Sequence, residues 1–123
     1  SLRCNTQSIS SLSDERDKTN IQNLDAGLDF INSLRPVSFD WNMRDGGRVG
    51  DADTGFIAQE LSAAQETHGV EIPRLVTTAV NANGEDTFEA AYSRLIPSMV
   101  LAIKELKAEN DALKTRLTAL ENA

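Results

Sequence analysis

The stretch Ser13-Asp14-Glu15-Arg16-Asp17-Lys18 compresses a nucleophile, a candidate base and a row of charges into little more than one turn of chain. A serine hydroxyl is a weak nucleophile until something takes its proton, and a lysine can do so only as the neutral amine. Free lysine has a pKa near ~10.4, so at neutral pH only about one molecule in a few thousand is ready. Burial or a neighbouring cation depresses such a value and neighbouring carboxylates raise it. Arg16 therefore pulls one way, and Asp14, Glu15 and Asp17 pull the other. The same residues also read as a helix start, with Ser13 as the capping hydroxyl and acids in the first turn to meet the macrodipole. The two readings are compatible, because a serine at a helix start is exposed.

The elements that must hold this stretch follow from periodicity. Ile21, Leu24, Leu28, Ile31 and Leu34 recur at helical spacing, which predicts an amphipathic helix from Asp14 to Leu34 with Phe30 at its margin. Gly27 weakens it by up to ~1 kcal/mol, and Arg35-Pro36 ends it, since proline disfavours helix in the preceding residue. Val37 to Trp41 alternates apolar and polar as a half-buried strand. Asn42 to Asp53, with Gly46, Gly47 and Gly50, reads as a flexible loop. It is no phosphate cradle, because no Gly-Lys-Ser/Thr follows and the strand-to-helix setting is missing. Thr54 to Ala58 is a second short strand, and Gln59 opens a helix running to about Glu66 that His68-Gly69 closes. Leu75 to Val80 is a β-branched run, and Asn83-Gly84 predicts a two-residue hairpin turn that pairs residues 85–90 back against it. Together these give a small antiparallel sheet with flanking helices.

The last third carries the clearest repeat. Ile96, Met99, Ile103, Leu106, Asn110, Leu113, Leu117 and Leu120 alternate at the spacing of heptad a and d positions, which predicts a long coiled-coil helix whose Ile-at-a, Leu-at-d pattern nominally favours dimers. Glu109 with Lys114, and Arg116 with Glu121, stand at g and the following e, where opposite charges meet between parallel helices. Asn110 at an a position costs stability and sets register. The alternative is that this helix packs its stripe against its own domain. Pro97 falls in the first turn, where its missing N–H does little harm.

The totals set the bounds. A chain of 123 residues is one domain's worth, and with aromatics at only 5% a self-sufficient monomer core looks thin, so oligomerisation is the natural remedy. A formal charge of -7 and a pI near 4.6 argue against nucleic acid or an anionic membrane as partner. One Cys4 and one His68 offer no metal site with ligand spacing, and no cofactor motif is present. No apolar run approaches a membrane span. The opening Ser1-Leu2-Arg3 reads as the edge of a fragment of something longer, and residues 1–12 as the polar end of an extended upstream region.

In order along the chain, Ser13-Asp14-x-Arg16-x-Lys18 with Asn20-Ile21, Leu34-Arg35-Pro36-Val37-x-Phe39-x-Trp41, Gly55-Phe56-Ile57-Ala58-Gln59-Glu60, Tyr92, and Leu95-Ile96-Pro97 through Ala102-Ile103-Lys104-Glu105-Leu106 together resemble a known family. It is peptidase family S74, the C-terminal intramolecular chaperone and auto-processing domain of phage tailspikes, tail fibres and neck appendages. The resemblance implies an α+β, helix-rich, trimeric domain divided into an upstream stalk or linker end (1–12), a globular chaperone core (13–92) and a C-terminal coiled-coil helix (93–123). It implies a homotrimer that holds an upstream β-helical stalk of the same polypeptide in register while it folds, then cuts itself off. Ser13 would be the processing serine and Lys18 its partner, with cleavage among Leu12, Ser13 and Asp14 and supporting roles for Arg16, Asp17 or Glu15. Asp17 departs from the pattern, since relatives often carry an apolar residue there. The setting implied is the host cytoplasm during virion assembly, with the parent protein in the tail or neck fibre. Two further readings stand beside it: a trimerisation and interaction module that never cuts, and a free Ser/Lys hydrolase.

Overall fold

The computed structural model describes residues 10–123, so Leu2, Cys4 and Ile9, read above as part of an upstream stretch, lie outside the described residues. The first departure from expectation falls on the predicted helix from Asp14 to Leu34. Asp14, not Ser13, takes the capping position: its Oδ1 accepts the Arg16 backbone N–H at 2.8 Å. The turn that results is a single 3-10 turn, Glu15–Asp17. Lys18 then goes extended at φ -120 and ψ 148, and Asn20 enters the left-handed region at φ 54. Asp and Asn side chains offer the backbone local partners that compete with a helical ladder. Here the competition is won locally, because Ile21 and Leu24 meet no wall and stay 70% and 43% exposed.

Regular helix begins only at α1, Leu28–Ser33. Its N-terminus is capped from a distance, the Leu28 N–H donating to Glu105 Oε1 at 2.9 Å. Phe30 is not marginal: at 2% exposure it sits in the core with Ala26, Leu61, Leu75 and Leu95. Arg35-Pro36 ends the helix as expected, and β1, Val37–Asp40, follows at once.

The single expected sheet is two. Antiparallel β1 and β2 (Ala52–Gly55) form one hairpin, and β3 (Val76–Val80) and β4 (Asp86–Ala90) form the other. β2 lies earlier than the predicted strand 54–58, with Val37 opposite Gly55 and Asp40 opposite Ala52. The chain must turn into α2, Ala58–His68, so Phe56 and Ile57 are spent on the corner. Side chains rather than a ladder join the hairpins: Arg44 donates to Glu85 Oε2 at 3.1 Å and to the Asp86 carbonyl at 3.0 Å. The stretch between β1 and β2, expected as a flexible loop, is folded on itself. Trp41 N–H donates to Asp51 O at 2.8 Å, Gly50 N–H to Trp41 O at 2.9 Å, and the Arg48 guanidinium lies 4.5 Å from the Trp41 ring centre.

Two turns show how glycine placement works here. Gly69 closes α2 at φ 62, its N–H reaching the Gln65 and Glu66 carbonyls, as the sequence predicts. The β3–β4 turn differs. Of Asn83 and Gly84 only Gly84 has positive φ, at 78, so the two-residue turn that needs both is excluded. Instead Gly84 N–H donates to Asn81 O at 3.0 Å and Asn81 N–H to Glu85 O at 2.9 Å. This makes a three-residue loop whose last member is left-handed, held by Asn81 Oδ1 accepting from Asn83 and Glu85.

The long helix α3 runs Ile96–Glu121, 26 residues, with Pro97 in its first turn. It has two faces. Leu95 just before it, Ser98 and Ala102 are buried against the core, and Glu105 reaches α1. The predicted heptad stripe points elsewhere: Ile96, Met99, Ile103, Leu106, Leu113, Leu117 and Leu120 are all exposed, Met99 least at 47% and Leu120 most at 72%. The stripe is therefore not the face that packs on this chain's own domain. No helix among the described residues is long and apolar enough to cross a membrane.

Candidate functional site

The Glu15–Asp17 turn does for Ser13 and Lys18 what the expected helix was to do. By reversing the chain once and then extending it, the turn carries the lysine amine back to the serine: Lys18 Nζ donates to Ser13 Oγ at 2.8 Å. Both residues are exposed.

Arg16 does not face Lys18. Its guanidinium grips Asp14, Nε donating to Oδ1 at 3.1 Å and to Oδ2 at 3.2 Å, and Nη2 to Oδ2 at 2.7 Å. The Arg16 side-chain bonds, with help from its backbone N–H, hold the Asp14 carboxyl below the usual carboxylate range, and Asp14 in turn raises the Arg16 guanidinium. One of the three nearby carboxylates is thereby neutralised. Asp17 and Glu15 are exposed members of the turn, supplying the backbone N–H and carbonyl that close it: Asp17 N–H to Asp14 O and Lys18 N–H to Glu15 O, both at 3.1 Å. Leu12 lies beside the pair, 81% exposed.

Sequence reasoning missed several positioning residues. Arg35 and Glu60 stand in separate motifs, and the structure joins them: Nε donates to Oε1 at 2.9 Å and Nη2 to Oε2 at 2.5 Å. This fork ties the start of β1 to α2, and the Arg35 bonds lower the Glu60 carboxyl. Tyr92 has no role legible in the sequence. Its hydroxyl donates to Phe56 O and accepts from Phe56 N–H, both at 3.0 Å, so the corner between β2 and α2 has its backbone groups satisfied by one phenol. Gly55 beside it has no room for a methyl group, which would stand 2.6 Å from that hydroxyl. Ser98 gave no signal in the sequence. It is 1% exposed and its hydroxyl has no hydrogen-bond partner.

Fold and site define a small α+β module on a long helix, with a serine–lysine pair displayed on the turn that precedes its core. Residues 13–70 match the family model Peptidase_S74, described as chaperone of endosialidase. The resemblance drawn from the sequence therefore holds, over the segment that carries Ser13, Lys18 and the Arg35–Glu60 fork. The family's description supports an intramolecular chaperone role in general terms, and its name a serine-peptidase type of domain that cuts itself. No curated protein matches the chain.

Proposed function

We propose that this chain is an intramolecular chaperone that trimerises through α3, aligns an upstream β-helical stalk of its own polypeptide, and then releases itself by cutting a bond adjoining Ser13. The observation that carries the reading is the 2.8 Å contact between Lys18 Nζ and Ser13 Oγ, made within the family-matched segment. Ser13 Oγ can reach the carbonyl of the residue before it, but its own carbonyl would require a four-membered ring. Attack on Leu12 forms the Oγ–C bond while Lys18, as the free amine, takes the hydroxyl proton. Collapse breaks the C–N bond, the Ser13 nitrogen takes the proton back, and the ester left behind is hydrolysed by water. A cut on the other side, at Ser13–Asp14, would need water or a group from another chain as nucleophile.

Trimerisation finds its support in the exposed stripe on α3. Seven large apolar side chains lie exposed along a helix that packs on its own domain only through its first turns, at Ser98 and Ala102, which is the surface a second and third copy would cover. The order of events follows from entropy. Ordering a stalk costs roughly 1–2 kcal/mol per residue before interchain pairing returns anything. A module rich in local contacts folds sooner than a high-contact-order sheet. Three clasped modules then raise the local concentration of the stalk chains and set their stagger.

The test is the intact mass of the parent polypeptide together with its state of assembly. Two fragments meeting at Ser13 in the wild type, one uncut chain in Ser13→Ala, and a trimer in both are expected. A wild type that stays full-length while its stalk folds would leave a trimerisation module that does not cut. Multiple turnovers on a small ester would point to a free hydrolase.

A further inference from the structure

Behind Lys18, the loop Glu71–Arg74 and the first turn of α3 enclose a cavity of about 710 Å³ that Ser11 and Leu12 also line. Its apolar lining is Leu24, Ile72, Pro73 and Pro97. Leu12 is the most exposed large apolar side chain among the described residues, at 81%. Its charged lining is mostly cationic: Arg74 and Arg94 join Lys18 against a single carboxylate, Glu71. Ser98 lines the cavity too, with its hydroxyl buried and unpartnered. The helix behind that hydroxyl has no side-chain cap and no acid in its first turn, so its positive pole is uncompensated.

A buried hydroxyl without a partner is costly, and alanine would pack as well without the cost. An apolar lining, two arginines and an orphaned donor in the cavity that Leu12 and Lys18 share call for a peptide group rather than for packing alone. We propose that this cavity is the subsite for the residue preceding Ser13: in the cutting state Leu12 leaves solvent for Leu24, Ile72 and Pro97, and its carbonyl turns to Ser98 and Arg94. The inference rests on cleavage at the Leu12–Ser13 bond, and fragment masses that place the cut at Ser13–Asp14 overturn it. As Ser13 Oγ bonds to the Leu12 carbonyl carbon, the π pair moves to oxygen and the proton goes to Lys18. Ser98 then donates a hydrogen bond to the oxyanion without giving up its proton, and the pole of α3 and the Arg94 charge stabilise it.

The experiment follows fragment formation by intact mass in the parent polypeptide, for the wild type and four variants. Leu12→Asp slows cutting about 10-fold or more, while Leu12→Met, which keeps an apolar chain of similar volume, stays within about 3-fold. Ser98→Ala slows cutting about 100-fold and at the same time raises the thermal midpoint, because the orphaned hydroxyl is gone. Val49→Asp, in the distant loop, changes neither. Ser98→Ala with a raised midpoint and unchanged cutting overturns the proposal, as does Leu12→Asp cutting at the wild-type rate. A wild type that never fragments sinks the cleavage reading itself and this subsite with it. A wild type that cuts while both variants cut equally sinks the subsite alone.

Discussion

Replacing Leu113 by alanine separates a helix that clasps its copies from one that serves only its own chain. Leu113 is 60% exposed in the single chain, so its truncation removes little that the monomer uses. Fully burying a leucine gains about 2 kcal/mol, and the share still exposed here corresponds to about 1.2 kcal/mol per chain. In a three-chain assembly the loss is tripled, to about 3 to 4 kcal/mol, or roughly a 100- to 1,000-fold weaker trimer. Sedimentation equilibrium across a concentration series reads that shift directly. Urea unfolding at concentrations where both proteins are monomeric serves as the control, with midpoints expected to coincide. A wild type that stays monomeric throughout, or a variant that loses monomer stability and not association, refutes the reasoning about the stripe.

Other outcomes are expected from the same geometry. Lys18→Met, which keeps the length of the side chain and removes the amine, should stop fragment formation in the parent polypeptide without changing the circular dichroism spectrum. Gly55→Ala should push the Tyr92 ring off the Phe56 backbone, because the new methyl would stand 2.6 Å from the hydroxyl. Losing those two hydrogen bonds should lower stability by about 1–3 kcal/mol in denaturant titration. Gly27→Ala would overlap the Glu105 carboxylate, and amide exchange at Leu28 should quicken once that cap is displaced. The Asp14 and Glu60 carboxyls lie below their ordinary values, so their ion pairs contribute fully above the unfolded-state pKa and fade only as pH falls through the lower folded values. Carboxyl carbon shifts in an NMR titration should show both groups still ionised where exposed Asp and Glu have already taken up protons.

The sequence by itself determined the chemistry on offer and the long-range pattern. Serine and lysine at that spacing, the heptad stripe, the closing Gly69 and the break at Pro36 are local or periodic signals, and Gly69 and Pro36 end their helices where expected. Tertiary structure decided the rest. Apolar spacing alone could not tell that the run from Ile21 to Leu34 divides at Gly27, because a helix forms only where its stripe meets a wall. Phe30 has that wall, and Ile21 does not. Asp14 took the cap from Ser13 because its carboxylate could hold both the Arg16 backbone and the guanidinium, leaving the serine hydroxyl free to meet Lys18. The division into two hairpins, the Tyr92 bridge to Phe56 and the orphaned Ser98 all depend on residues far apart in the chain arriving side by side. No window of neighbouring residues encodes such meetings; they are settled by which surfaces are left once the core around Phe30, Leu61 and Leu75 has closed.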